Sequence, residues 1–502
     1  MPEYAREPDG GGFARSGEQF AGIVGWLGGA QAAGLDHAAL EEQVAARARE
    51  VARLLLQEHL DLRAERERRR EEVTGPDGIR RTRAERGHGR RLATTLGPVR
   101  VTRIAYRAPG APNVHPADAG LSLPPGKHSR GLGRLVVIEA ARGSIGQGCA
   151  AVRRATGVGI GTRQAQQIIR AAAADFGAFY AGREYRPPPG AAPGGVLGLS
   201  CDAKGIVMRP GQLRAEAARN ARKAVAKQEG RLSRGEVSTR KRMAEVGAVF
   251  DITPVPRTAA DILPGPGQHA SPCPAAPRTT GKWLTASLAD DAAAVVAAVF
   301  AEADRRDPAR ERTWVALADG NVHQISRILA EAAARKITIT IVCDFIHVIE
   351  RLWTAAWCFF PEASPDAGPW VRDRARAVLH GQARDVAAGI RAASTALTAA
   401  RRKTAAKTAD YLDAKAPWLD YPTALAAGWP ISTGVIEGAC RYLVKDRMDI
   451  TGARWGTDTA EAVLKIRALL ANDDFDAYWA YHLAREHQRN YPQPRTSYQL
   501  AA

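Results

Sequence analysis

Four short runs of aliphatic and β-branched residues in the middle of the chain constrain its fold most tightly. They are VLGLSCD (196–202), EVGAVFDITP (245–254), TWVALAD (313–319) and ITITIVCD (337–344). Each has the length and composition of a strand. Helical patterns at 290–305 and 321–335 separate the later runs. Strands alternating with helices predict a mixed sheet with helices packed against it, an α/β domain. Three of the four runs end in aspartate: Asp202, Asp319 and Asp344. In α/β sheets, ligand and catalytic groups collect beyond the carboxyl ends of the strands. Taken singly, each aspartate reads as a turn former or helix cap, and Asp202-Ala203-Lys204-Gly205 and Asp319-Gly320 are good turn signals.

The sheet region (195–349) opens after a linker, 186–195, that holds four prolines. Two interruptions break it. Residues 214–242 carry ten Lys/Arg against three Glu and form a basic insert, and 263–277 are proline-rich and loop-like. From 350 to about 429 the chain reads as all helix, with Trp353, Trp357, Trp370 and Trp418 among Ala and Leu. A further helix follows at 435–455, capped by Ser432 or Thr433 and stopped near Gly452. Along it Glu437, Arg441 and Lys445 fall at steps of four and share a face. On their own these residues describe an ordinary solvated helix with a Glu437–Arg441 pair. Residues 458–471 continue as an amphipathic helix within a final segment, 430–490, and the tail from Tyr491 is polar and loose.

Upstream, 1–78 is a helical region whose first dozen residues are expected to be disordered. Leu40, Val44, Ala48, Val51, Leu54 and Leu55 recur at helical spacing, and the helix is expected to run on into the mixed charges of Arg63–Glu72. In the next region, 79–185, residues 91–107 predict two strands around Gly97-Pro98. Arg100, Arg103 and Arg107 make this hairpin basic. A helix at about 145–155, a glycine-containing turn at 156–160 and a second helix opening at Thr162 have the layout of a helix-turn-helix. Arg163, Gln164 and Gln167 on the second helix are then the side chains placed to reach base edges.

Charge supports a polyanionic partner. Lys and Arg number 71 against 53 Asp and Glu, a net +18, and nucleic acid is the usual partner of such an excess. An Arg- and Ala-rich composition alone would also raise the basicity. The six cysteines are scattered with no Cys-x-x-Cys pair, which argues against a zinc ribbon and for reduced thiols in a cytoplasmic protein. No apolar run reaches the ~18 residues of a membrane span.

Three strand-end aspartates and a helix-borne Glu437 make a set of carboxylates that repel one another unless a cation joins them. Hard oxygen ligands select Mg²⁺ or Mn²⁺, and two such ions are suited to phosphodiester chemistry. The set resembles the DDE transposases of bacterial insertion sequences, in particular the Kra-type family, and more distantly the Mutator-like transposases. The matching pieces are Asp202-Ala203-Lys204-Gly205, VALADGN (315–321), CDFIHVIERLW (343–353) and GVIEGACRYLVKDRMDITGARW (434–455). The last two are the most specific, and the similarity spans roughly residues 90–490. At the first acid the family reads Asp-Gly-Lys-Gly, and Ala203 replaces that glycine.

The resemblance implies an RNase H-like catalytic core with an all-α insertion before its last acid, preceded by a mainly helical DNA-binding region with the helix-turn-helix. It implies a triad of Asp202, Asp319 and Glu437 holding two Mg²⁺ or Mn²⁺ ions. Asp344-x-x-His347 matches a signature found after the second acid, and Asp344 competes with Asp319 for the second ligand position, with Asp319 preferred on the family pattern. His347 either orients a water or phosphate or braces its helix. Arg441, Lys445 and Arg454 would grip phosphate near the cut, while the helix-turn-helix and the basic hairpin (Arg100, Arg103) read terminal inverted repeats. Double-stranded DNA, as terminal repeats and as target, is the implied partner, with a homo-oligomer in the synaptic assembly and a nucleoid location. The alternatives are a domesticated or inactive transposase-derived protein that only binds DNA, and an RNase H-like nuclease that hydrolyses without joining.

Overall fold

A computed structural model describes residues 12–185, 195–213, 241–264, 275–450 and 452–492, together with 215, 218 and 219. The expected disordered N-terminus, the proline linker, most of the basic insert, most of the proline-rich loop and the end of the tail lie outside the described residues. The chain divides into two compact units, 1–179 with 476–502, and 180–475.

In the first unit, helix α1 (Ala14–Leu27) packs on the long helix α2 (His37–Glu65). Asp36 caps α2 by accepting from the Ala39 amide. Buried Glu58 on α2 accepts from the amides of Arg15 and Ser16 at the start of α1. α2 stops at Glu65, short of the expected run to Glu72. Buried Glu67 leaves the helix to accept from the Ile104 amide at 2.8 Å.

That amide belongs to a long hairpin of β1 (Arg83–Thr94) and β2 (Gly97–Arg107). β1 starts earlier than expected, because RAERGHGR is too charged to read as strand. Leu92, Val99 and Val101 on one face of the hairpin pack with Leu60 of α2 and Leu123. Three helices follow: α3 (Arg130–Arg142), α4 (Ile145–Thr156) and α5 (Thr162–Ala172). Ser144 and Gln147 form a capping box at the start of α4. Gly157 ends α4 with φ +74°, a left-handed conformation that favours glycine. Leu132, Val136, Val152, Ile160 and Ala165 make the core of the three helices.

The second unit is built on a five-stranded sheet. Its strands are β3 (Val196–Val207), β4 (Lys241–Thr253), β5 (Arg278–Ser287), β6 (Thr313–Ala318) and β7 (Ile339–Cys343). Their order across the sheet is β5-β4-β3-β6-β7. β3 and β4 are antiparallel, as are β4 and β5, while β3–β6 and β6–β7 are parallel. Strand β5 is absent from the sequence reading, where the adjoining proline-rich stretch obscures it; Trp283, Leu284 and Ala286 are its buried residues. Its free edge is closed by Asn472, whose side chain accepts from the Leu284 amide and donates to the Leu284 carbonyl as a strand would.

Helix α6 (Ala292–Arg306) packs on β3, β4 and β5, and α7 (Val322–Arg335) connects β6 to β7. After β7 come α8 (Phe345–Phe359), α9 (Ala367–Leu379), α10 (Ala383–Ser394) and α11 (Ala399–Lys415), the all-helical segment expected from the sequence. The chain then returns to the sheet as α12, at 434–448, followed by α13 (Thr457–Ala471), which packs on β5. The last helix, α14 (Phe475–Asn490), belongs almost wholly to the first unit rather than grouping with 430–474. There Tyr478 donates to the Ala172 carbonyl, and His482 and Arg489 bond Asp175. Among the described residues no helix is long and apolar enough to cross a membrane.

Candidate metal centre

Asp202 is not at a strand end: β3 runs on to Val207 in pairing with β4, so the turn expected at 202–205 is not formed, and Asp202 stands in a row with Asp319 and Asp344. β3 pairs with β6 in the register Ser200↔Leu317, and β6 pairs with β7 in the register Ala318↔Cys343. Asp319 and Asp344 directly follow β6 and β7, and counting on from those registers puts Asp202, inside β3, level with Asp319 and Asp319 level with Asp344. The Asp344 amide donates to the Ala318 carbonyl at 2.8 Å and extends the pairing to the end of the row.

Helix α12 lies across this row and touches both ends. At one end the Cys440 thiol donates to Asp202 Oδ2 at 3.3 Å. At the other, the Thr433 amide donates to Asp344 Oδ2 at 2.9 Å, and the Thr433 hydroxyl sits between Asp344 Oδ2 and Glu437 Oε1, 3.2 Å from the latter. Glu437 lies between these anchors and is exposed. Asp344, His347 and Glu437 each bring a ligand atom within 4.8 Å of the other two.

The helix is not uniform. Gly434–Ala439 is α-helical, Cys440–Lys445 is π-helical and Asp446–Met448 closes it with an α-turn. In an ideal α-helix a step of four drifts by about 40°; the wider π turn takes up that drift. Burial accordingly recurs every four residues, at Ala439/Cys440, Leu443/Val444 and Arg447/Met448. Glu437, Arg441 and Lys445 therefore stay in one exposed column, as their spacing predicts. Arg441 reaches Asp446, five residues on, at 3.8 Å, a pairing that suits a π turn. A π turn also frees backbone carbonyls, and Arg467 of α13 donates to those of Tyr442 and Leu443. Past the helix, Trp455 pairs with the end of β3 through the Val207 carbonyl and the Arg209 amide, leaving Arg454 exposed beside it.

The acids differ in how far they are already committed. Asp344 is 1 % exposed; its Oδ1 caps α8 by accepting from the Ile346 amide at 2.7 Å, and its Oδ2 is taken by Thr433. Asp319 is half-buried, and among the described residues only its Oδ1 is engaged, by the Asn321 amide at 2.7 Å. Asp202 is also half-buried, with Oδ1 held by the Ala203 amide. Proximity of ligand atoms groups Asp344 with His347 and Glu437, whereas hydrogen bonding makes Asp344 a brace. A metal at Asp344 would compete with three donors already in place.

Surrounding groups register the local negative charge. Burial pushes the Cys440 thiol well above its usual range, and Asp202 adds to the shift by charge and by hydrogen bond. Burial likewise pushes Cys343 up to about 12; Asp319 and Asp344 add to that shift and Lys415 opposes it. Lys415 is buried, its ammonium 5.3 Å from the centre of the Trp418 ring and without a hydrogen-bond partner among the described residues. For His347 burial lowers the pKa, but the Glu350 bond at 3.0 Å and the charges of Asp344, Glu350 and Asp319 outweigh it and raise the pKa overall. The turn after Asp319 is held by Gly320 at φ +88°, where a Cβ would meet the Tyr411 hydroxyl at 2.8 Å. Cys440, Tyr411 and Lys415 did not emerge from the sequence; only Cys440, three residues after Glu437, carried a positional signal.

The first unit holds the remaining candidates. Arg163 is exposed at the start of α5, and Gln164 and Gln167 line a cavity there. Arg100 is exposed on the hairpin. Arg103 is a correction to the basic-hairpin expectation: it is 7 % exposed, pairs with Asp118 at 2.7 Å and donates to the His88 carbonyl, so it serves the core and not a phosphate surface. The chain matches no protein-family model, and no curated protein matches it.

Proposed function

We propose that the chain is a DDE transposase of a bacterial insertion sequence, related to the Kra type, and that its second unit has an RNase H-like core. The observation that carries this reading is the row of Asp202, Asp319 and Asp344 with α12 laid over it and Glu437 above. The mixed five-stranded sheet of order β5-β4-β3-β6-β7, with β4 antiparallel to β3, is compatible with such a core and supports the reading. The all-helical segment between β7 and α12 stands where the resemblance puts an insertion.

The donor set fits Mg²⁺ or Mn²⁺: hard carboxylate oxygens, at least one on Asp319 and on Glu437 with room for another ligand, in a protein of net +18. Asp202, Asp319 and Glu437 would hold the ions. When bound, two such ions lower the pKa of an attacking water or 3′-hydroxyl and neutralise charge on the leaving oxygen. The protein's own part is positioning. Thr433 and Cys440 fix α12 at the two ends of the row, Asp344 holds Thr433, and the Arg467 bonds support the π turn that keeps Arg441 and Lys445 in column with Glu437. Arg441, Lys445 and Arg454 then offer exposed cations to the phosphates flanking the reacting bond. In the first unit, α4 and α5 with exposed Arg163, and the hairpin with Arg100, would bind the terminal inverted repeats.

The test is cleavage and joining by the full chain on linear DNA carrying the element's terminal repeats, with Mg²⁺ or Mn²⁺. The parent should nick at the repeat ends and join the freed 3′-hydroxyl to target DNA, and Glu437→Gln should do neither. Cleavage without joining would replace the transposase with an RNase H-like nuclease. Repeat binding with no cleavage under either metal would leave a DNA-binding protein.

A further inference from the structure

The first unit contains a cavity of about 310 Å³ that the metal-centre reading does not use. That volume is at the lower end of the range for small-molecule sites. Its walls come from three places: α5, the 124–130 loop that leads into α3, and α14. From α5 come Gln164 and Gln167, one turn apart and so on one face, with Ile168 beside them. From α14 comes the half-buried indole of Trp479.

Half of the lining side chains are polar or charged, His128, Ser129 and Arg130 of the loop among them. His482, 3 % exposed, is fixed by its Nδ1 contact to Asp175 at 2.7 Å, and Asp175 is in turn gripped by Arg489 at 2.7 and 2.8 Å. Burial lowers the His482 pKa despite that carboxylate, which favours the neutral ring. Glu486 also lines the wall, but Arg130 at 3.0 Å and Arg489 at 2.6 Å neutralise it. Exposed Lys127 stands at the loop side as the cation with no carboxylate partner among the described residues.

An aromatic wall, two adjacent carboxamides and a peripheral cation match a nucleotide better than an aliphatic or purely anionic ligand. A flat base can stack on an indole. A glutamine carboxamide offers a donor and an acceptor side by side, the pattern that pairs with the N6 and N7 edge of adenine. We infer that this cavity binds the base of an adenine nucleotide, with Gln164 and Gln167 reading its edge, Trp479 against its face and Lys127 towards its phosphate. The base can come from a free nucleotide or from an unpaired adenine in DNA. The inference stands apart from the transposase reading, since its first source requires no DNA.

The experiment is calorimetric titration of the full chain with 5′-AMP and 5′-CMP, and with a DNA duplex carrying one unpaired adenine against the same duplex fully paired. The variants are Gln164→Ala and Gln167→Ala, whose side chains lie outside the helix core, with thermal unfolding to verify the fold. Saturable 5′-AMP binding that is about tenfold tighter than 5′-CMP, and about tenfold weaker in Gln167→Ala, supports the site with free nucleotide as its source. The same Gln167 dependence on the unpaired-adenine duplex alone supports it with DNA as the source. The inference is overturned if neither ligand shows adenine preference, or if both glutamine variants bind as the parent does. Loss of the catalytic activity in Glu437→Gln bears on neither outcome.

Discussion

Asp344→Asn and Asp319→Asn should have unequal effects on stability, although each removes one charge from the same row. Asp344 accepts from the Ile346 amide on Oδ1 and from the Thr433 amide and hydroxyl on Oδ2. Asparagine supplies one carbonyl oxygen and one NH₂, so it can serve one of those sides and must point a donor at donors on the other. Losing the cap of α8 costs about 1 kcal/mol. Leaving the buried Thr433 amide unsatisfied instead costs about 1–3 kcal/mol. Weaker acceptance by the neutral amide adds roughly 1 kcal/mol. Relief of repulsion from Asp319 and Glu437 returns a part of this, giving a net loss of about 2 kcal/mol. At about 2–4 °C per kcal/mol, the melting temperature should fall by about 4–8 °C. Among the described residues Asp319 has one engaged oxygen, bonded to the Asn321 amide, and an asparagine carbonyl keeps that bond. Its melting temperature should stay within about 1 °C of the parent, as expected for a change below about 0.5 kcal/mol. Differential scanning calorimetry of the three proteins without added metal measures both. Equal melting temperatures, or a larger fall for Asp319→Asn, would refute the assignment of Asp344 as the structural acid.

Three further outcomes follow from the structure. Arg467→Met removes the donors to the Tyr442 and Leu443 carbonyls and should cost about 3 kcal/mol in chemical denaturation, with loss of any cleavage activity, whereas Arg467→Lys should recover part of both. A result near zero would detach Arg467 from the π turn. Gly320→Ala combines a φ of +88° with a contact at 2.8 Å, and should destabilise by about 1–3 kcal/mol; Tyr411→Phe in the same chain should relieve the contact but not the backbone strain. His115 is held down to about 4, first by burial and then by the charges of Arg103, His88 and Arg90. Its folded pKa is below the unfolded value, so the unfolded state binds more protons between the two. The stability tied to a neutral His115 is therefore full above about 6.5 and lost as pH falls towards about 4. The difference in urea midpoint between parent and His115→Gln should change through that window and be flat above it; a difference that is constant from pH 4 to 8 would contradict the shift.

Much of the second unit was legible because its strands carry apolar runs, and because the parallel registers bring Asp202, Asp319 and Asp344 level with one another; the continuation of β3 past Asp202 was hidden by the turn-like Ala203-Lys204-Gly205. The helices around 145–156 and 162–172 were legible from Ser144, Gly157 and their apolar spacing. Strand β5 escaped because Thr279, Thr280 and Gly281 begin it without an apolar alternation. The burial of Arg103 could not be read from a run of arginines, since its partner Asp118 lies beyond the hairpin. The π turn had no sequence signature in 440–445; it is supported by Arg467, more than twenty residues on. The brace between Asp344 and Thr433 joins residues 89 apart, and only the return of α12 to the sheet reveals it.

Mn²⁺ titration of the full chain tests most directly whether Asp202, Asp319 and Glu437 form one divalent-cation site under α12. Calorimetry with electron paramagnetic resonance as the second readout should find up to two Mn²⁺ per chain. Asp202→Asn, Asp319→Asn and Glu437→Gln should each abolish at least one of them at unchanged fold. Undiminished Mn²⁺ binding in all three variants, or no binding to the parent at millimolar Mn²⁺, would contradict it.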